Sequence, residues 1–316
     1  MENNVVRHES CRKIMDEIKK VIVGKDEQLR LLLICLLSKG HILIEDVPGV
    51  GKTTAATALA KATGLGSKRV QFTPDVMATD ISGFTAPDAK TGEFVYKPGV
   101  CMTNILIADE INRTSPKTQS ALLEIMEERQ VTVDGVTYKL PEPFMVVATQ
   151  NPQGYVGTYP LPEAQLDRFR MKMSMGYPLA EQELQIIAER HGVDPMDKIV
   201  AVSTPAEILA LQETVEKIHV DPAVLQYIVN LVCITRSDPN IALAASPRAS
   251  LALLRAACAA ALLDNRGYVI PNDVNEMYEA IVAHRIALSP EAKIERLTAA
   301  EVLAKLKDAV KAPIVK

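Results

Sequence analysis

Four short runs of mainly apolar residues punctuate the first half of the chain: His41 to Glu45, Arg69 to Phe72, Asn104 to Ala108 and Phe144 to Ala148. They are rich in β-branched residues and do not alternate with polar ones, which predicts strands of a parallel sheet buried on both faces. Between the first two lies an Ala-rich stretch, Lys52 to Ala62, that reads as a helix stopped by Gly64. Strands separated by helices define an α/β layered architecture. Two hairpins interrupt this plan. Val131 to Tyr138 places Asp134-Gly135 between alternating flanks, and both residues tolerate the positive φ of a type I′ turn. Ile81 to Val100 contains two short apolar pieces around Asp88-Ala89-Lys90-Thr91-Gly92 and predicts a second, looser hairpin.

Near Pro178 the pattern changes. From Ala180 onward the spacing is that of amphipathic helices, with well-marked starts. Thr204-Pro205-Ala206-Glu207 combines a cap, a first-turn Pro and a capping-box Glu. Asp221-Pro222 and Ser246-Pro247 repeat the cap-plus-Pro device, and Thr298-Ala299-Ala300-Glu301 is another capping box. The expectation is two domains, an α/β core over 1–178 and an all-helical domain over 179–316. A length of 316 residues agrees with about two domains.

Composition narrows the function classes. A formal charge of -4 argues against a general attraction to nucleic acid or anionic lipid, while leaving room for a local basic patch. The apolar run Leu29 to Leu37 is too short to span a bilayer and is broken by Arg30. The start, Met1-Glu2-Asn3-Asn4, carries no signal-peptide core, so a cytoplasmic protein is expected. Cys11, Cys35, Cys101, Cys233 and Cys258 show no C-x-x-C spacing and read as small buried hydrophobes.

The candidate chemistry sits after the first strand. Pro48-Gly49-Val50-Gly51-Lys52-Thr53 joins that strand to the Ala-rich helix. The glycines allow backbone N–H groups to face a phosphate, and the helix N-terminus adds partial positive charge. Lys52 would reach the β- and γ-phosphates of ATP, Thr53 would ligate Mg²⁺, and Thr54 completes the loop. The usual phosphate-loop pattern has Gly five residues before Gly51, where this chain has Asp46; a carboxylate there would crowd a triphosphate unless it points away. Asp109 and Glu110 end the third strand, where open α/β sheets bind ligands. Asp109 would hold Mg²⁺ and Glu110 would polarise the attacking water. Asn151, after the fourth strand, would orient that water; Asn-Pro is also a common turn starter.

This order of elements resembles the AAA+ ATPases, and within them the MoxR family, in the clade of the magnesium-chelatase ATPase subunit. The strings that carry the resemblance are Ala108-Asp109-Glu110-Ile111-Asn112-Arg113, Pro116 to Glu124, Ala148-Thr149-Gln150-Asn151-Pro152 and Thr158 to Phe169, and the likeness spans roughly Val23 to Arg255. It implies a P-loop core with inserts at Ile81 to Val100 and Val131 to Leu140, followed by a helical lid. It further implies a homo-oligomeric ring, commonly a hexamer, with ATP between subunits. In that ring Arg168 is cast as the arginine finger sent into the neighbour's site, and Arg248 as the lid's sensor of the γ-phosphate. Arg248 is also unusual in itself, because a cation in the first turn of a helix opposes the macrodipole. A structural arginine paired with Asp167 or another carboxylate is the plain alternative for Arg168, and an ordinary solvated arginine is the alternative for Arg248; Arg113 either faces the subunit junction or forms a salt bridge.

The expected function is therefore a Mg-dependent ATPase acting as a chaperone-like remodeller that assembles or matures partner proteins. The family suggests partners with a von Willebrand-type domain on a separate polypeptide, since none follows the lid here. Arg248 would sense the γ-phosphate from the lid while Lys52 holds it from the core. Two other classes compete. One is a nucleotide-gated regulatory module with little turnover, against which Glu110, Asn151 and Arg168 speak. The other is a DNA-associated motor, disfavoured by the acidic balance and the lack of a basic, aromatic stripe.

Overall fold

The computed structural model describes residues 2–152, 157–189 and 194–314. Two helices, α1 (Glu2–Lys19) and α2 (Asp26–Leu37), precede strand β1 (Ile42–Glu45). Then follow α3 (Lys52–Ala62), β2 (Ser67–Gln71), α4 (Ala78–Ser82), β3 (Gly83–Pro87), β4 (Phe94–Pro98) and β5 (Ile105–Asp109). Next come α5 (Pro116–Glu128), β6 (Gln130–Val133), β7 (Val136–Lys139), β8 (Met145–Gln150), α6 (Glu163–Leu166) and β9 (Met171–Met173). The remainder is α7 (Ala180–Glu189), α8 (Pro205–Glu216), α9 (Pro222–Cys233), β10 (Ile241–Leu243), α10 (Pro247–Leu263), α11 (Pro271–Val282), β11 (Ala287–Leu288), α12 (Pro290–Ile294) and α13 (Ala299–Ala309).

Five strands form one sheet in the order β2-β5-β8-β1-β9, every pair parallel. The four expected strands are all present. The fifth, β9, was not expected, and it pairs beside β1 with Ile42 opposite Met171. Side chains alternate between faces with the period of two that strands impose. Ile42, Ile44, Ile105, Ile107, Met145 and Val147 join a core cluster with α1 to α3, while Leu43, Leu106, Ala108, Val146 and Ala148 join another with α5. Both hairpins are found. β6 and β7 turn through Asp134 at φ 50° and Gly135 at φ 80°, the left-handed pair the Asp-Gly dipeptide favours. β3 pairs with β4, and Tyr96 stacks on Tyr138 at 4.0 Å, fastening one insert to the other.

Pro178 lies between β9 and α7. The helices beyond it begin where the caps indicate: Thr204 and Thr298 close capping boxes, and Asp221 and Ser246 accept from the first turns of α9 and α10. One short antiparallel pair, β10 with β11, stands among these helices. They do not hang free of the core. α8 and α10 pack on α2, α10 also touches α1, and their buried residues belong to the same cluster as one face of the sheet. His284 and Arg285, after α11, reach the carbonyl of Phe169, and Arg285 pairs with Asp167 at 2.7 Å. Among the described residues no helix is long and apolar enough to cross a membrane. Four cysteines are buried as expected; Cys233 is exposed, because it ends α9 on the solvent side.

Candidate functional site: a phosphate loop and a distant arginine pair

The loop from Pro48 to Gly51 runs from β1 into α3 at the C-terminal edge of the sheet. Gly49 and Gly51 both have φ 89°, a conformation that L side chains rarely adopt, and a Cβ built on either meets nothing within 4 Å. The glycines thus serve backbone shape and leave an open concavity over the first turn of α3. Lys52 is buried beneath it. Its Nζ donates to the carbonyls of Asp46 and, at 3.0 Å, of Val47. Burial lowers the Lys52 pKa, opposed by attraction to Asp46, Asp109 and Glu110. The ammonium is therefore folded back onto its own loop.

Asp46 resolves the concern raised by its position. Its carboxylate points away from the concavity: Oδ2 accepts from Ser174 Oγ at 2.7 Å and Gly176 N at 2.6 Å, and Oδ1 accepts from Val47 N at 2.8 Å. Burial pushes the carboxyl up, but the hydrogen bonds from Ser174, Gly176 and Val47 prevail and hold it below its ordinary value. Asp46 thus ties the phosphate loop to the segment leading from β9 into α7.

Asp109 ends β5 fully buried, facing α3. Thr53 Oγ1 lies 3.1 Å from both its carboxylate oxygens, and Thr149 Oγ donates to Oδ1 at 3.2 Å. Arg69, from β2 beside it, donates Nε to Oδ2 at 2.6 Å. Thr53 and Asp109 together form a compact set of hard oxygen donors, the kind Mg²⁺ prefers. Glu110 follows in the left-handed region at φ 57°, which turns the chain so that its carboxylate leaves the strand. Its backbone N donates to Thr149 Oγ at 2.9 Å, and its carboxylate pairs with Arg113 at 2.9 Å. Asn151 leaves β8 next to the loop, since Asp46 N donates to the Gln150 carbonyl at 3.3 Å. Asn112 holds the Asn151 backbone from both sides, at 3.1 and 3.4 Å. Lys52, Thr53, Asp109, Glu110 and Asn151, with Pro48, Val50 and Thr54 in the loop and its helix, therefore converge on one edge.

Arg168 and Arg248 do not join them. Arg168 precedes β9, and Arg170 N donates to the His41 carbonyl at the start of β1, so Arg168 lies at the N-terminal edge. Arg248, in the first turn of α10, meets it there: Glu127 pairs with Arg168 at 3.2 Å and with Arg248 at 2.9 Å. At about 3.3 Å per residue, β1 alone separates these edges by roughly 10 Å or more. The expectation that Arg248 and Lys52 grip one γ-phosphate within a single chain is corrected. The C-terminal helices fold back onto α2 and carry Arg248 to the far edge. Arg69, Thr149 and Glu127 were not singled out from the sequence. Only Arg69 left a trace, as a cation within β2, the strand beside the one that ends in Asp109.

A parallel sheet whose first strand feeds a phosphate loop and whose third ends in an acidic pair, followed by a helical region, defines a P-loop AAA+ nucleotide-binding fold. Comparison with known proteins agrees. Residues 41–171 match the family model of ATPases associated with various cellular activities, and 233–306 match the AAA lid domain. The chain is 49% identical to the uncharacterized protein YeaC of Bacillus subtilis over 97% of this chain and 96% of that one. It is 42% identical to chaperone MoxR1 of Mycobacterium tuberculosis over 95% of this chain and 81% of that one. Protein MoxR of Methylorubrum extorquens is 32% identical over 89% and 88%. A crystal structure of a candidate ATPase from Cytophaga hutchinsonii superposes with a TM-score of 0.93 at 36% identity, covering 99% of this chain and 98% of that one. The chain belongs to the MoxR family of AAA+ ATPases.

Proposed function

We propose that this protein hydrolyses ATP to ADP and phosphate with Mg²⁺, in a ring of identical subunits, and uses the cycle to remodel partner proteins. The observation that carries the reading is the separation of the catalytic groups between two sheet edges. Lys52, Thr53, Asp109, Glu110 and Asn151 share the C-terminal edge, while Arg168 and Arg248 share the other. A ring, commonly a hexamer, that sets one edge against the other completes each site with two arginines from the neighbour.

The residues present fit such a ligand. Gly49 and Gly51 leave the cradle open, and Thr53 with Asp109 offers the hard oxygens a divalent cation needs. Bound Mg²⁺ would draw charge from the β- and γ-phosphates. Lys52 turns from the Asp46 and Val47 carbonyls toward the phosphates. Glu110, released from Arg113, accepts the proton of the attacking water while Asn151 orients it. Arg168 and Arg248 neutralise the developing charge from the next subunit. Residues 1–178 then act as the nucleotide-binding core and 179–316 as the lid. The expected setting is cytoplasmic, and separate proteins with a von Willebrand-type domain are the expected partners. The name of the Mycobacterium relative supports the chaperone reading.

The test is a subunit-mixing experiment. Glu110→Gln is expected to bind ATP yet lose about a thousandfold in kcat, and Arg168→Ala to lose a similar factor with binding kept. Mixed rings should recover part of the turnover, because one junction regains an intact Glu110 and an intact Arg168. Verified mixed rings without recovery would refute the shared site.

A further inference from the structure

Glu127, Arg168 and Arg248 line a cavity of about 250 Å³ that also contains guanidinium groups which those three residues do not engage. It opens between the base of β1, the end of α5 and α10. Arg285 is held by Asp167 at 2.7 Å. Arg129, Arg170 and Arg255 form no ion pair with any described carboxylate. Arg129 Nη2 donates to the Lys39 carbonyl at 2.9 Å, and Arg170 Nη2 reaches the same oxygen at 3.4 Å. Arg170 Nε is buried with no hydrogen-bond partner among the described residues. Arg255 lies two turns along α10 from Arg248, so the two project from one face of the helix.

The nearest acids do not neutralise this group. Glu142 acts on Arg129, and Arg255 on Glu216, only through space, and Glu216 is engaged by Lys39 at 2.5 Å. Burial pushes Arg170 down to about 10; repulsion from Arg255, Arg285 and Arg129 adds to this and Cys35 opposes it. Several guanidinium groups held together in a half-buried recess are unfavourable unless an anion completes them. Planar forks converging from different elements suit a tetrahedral oxyanion.

We propose that Arg129, Arg170 and Arg255 form a binding site for a phosphate-type dianion, separate from the phosphate loop. The cavity suits a phosphate or a terminal phosphoryl group rather than a whole nucleotide. The occupant comes either from free inorganic phosphate or from the terminal phosphoryl of a nucleotide on the adjacent subunit. The second source rests on the ring proposed above; the first does not.

The experiment titrates inorganic phosphate into the full chain carrying Lys52→Ala, followed by calorimetry and ³¹P NMR at fixed ionic strength. This background disables the phosphate loop. Binding is expected to persist there. It should weaken about tenfold in Arg255→Ala, an exposed position that poses no folding problem, and by a similar factor in Arg170→Leu. Arg168→Ala and Arg248→Ala, whose charge Glu127 already offsets, should weaken it less than Arg255→Ala does. No binding in the Lys52→Ala chain would overturn the proposal. So would a loss confined to Arg168→Ala and Arg248→Ala, which would assign the anion to the Glu127 triad. In wild-type rings, competition between phosphate and an unhydrolysable ATP analogue that Arg255→Ala weakens identifies the neighbour's phosphoryl as occupant; competition that Arg255→Ala leaves unchanged belongs to the phosphate loop and identifies free phosphate. Phosphate binding in a chain that proves unable to hydrolyse ATP would sink the functional reading and leave this site standing.

Discussion

The two edges of the sheet treat charge in opposite ways. At the C-terminal edge Lys52, Asp109 and Glu110 already have internal partners: Lys52 holds loop carbonyls, Arg69 covers Asp109, and Arg113 holds Glu110. At the N-terminal edge cations outnumber acids, and a single carboxylate, Glu127, serves both Arg168 and Arg248. The first edge is self-satisfied without ligand; the second is incomplete within one chain. Such polarity suits head-to-tail assembly, in which unlike edges meet and the contact is heterologous.

The comparison can be broken most severely at Lys52. Lys52→Ala removes the ammonium from the loop, and ATP affinity is expected to fall roughly a hundredfold, read by a fluorescent nucleotide analogue. Stability should change little, because its partners are carbonyls of its own loop. A comparable loss of affinity in Arg168→Ala, which is expected to keep binding, would erase the distinction between edges.

Acid should separate the edges next. Burial holds His41, at the start of β1, neutral and pushes its pKa down to about 3, and His284 shifts in the same direction. The unfolded chain takes up a proton near pH 6.5 and the native chain does not, so stability falls as pH drops from about 6.5 toward 3. The loss is up to about 1.4 kcal/mol per pH unit for each such group. Asp46 behaves otherwise. Its pKa is lowered, so its contribution holds above the ordinary carboxylate range and disappears only as pH falls through the depressed value. Between pH 6.5 and 5, urea midpoints should decline, His41→Gln should flatten the decline, and Asp46→Asn should not alter its slope.

The smallest effect is expected at Arg69, whose side chain is 59% exposed. Arg69→Ala uncovers Asp109, and the Mg²⁺ concentration that supports half-maximal analogue binding should fall about threefold. A rise would show that Arg69 helps to hold the metal site together.

What was readable beforehand follows from range. The phosphate loop, the acidic strand end and the Asp134-Gly135 hairpin each depend on neighbours in sequence, so local chemistry announces them. Strand β9 is three residues long and follows Arg168 and Arg170, which hide its apolar character. The Leu29 to Leu37 run is legible as apolar, yet its role as the surface receiving α8 and α10 depends on a fold-back that brings Gln212 onto Leu36, 176 residues earlier. The same fold-back decides where Arg248 lies. Glu127 reads as an ordinary helical acid until Arg168 and Arg248 arrive from distant segments.

The Asp46 carbonyl receives Lys52 while its carboxylate grips Ser174 and Gly176, so a single residue touches both the nucleotide cradle and the joint before α7. Restoring the customary glycine at position 46 would preserve the cradle and sever that tether. A chain so altered would be a sharp tool for asking whether the proposed ATP turnover and partner remodelling can be uncoupled.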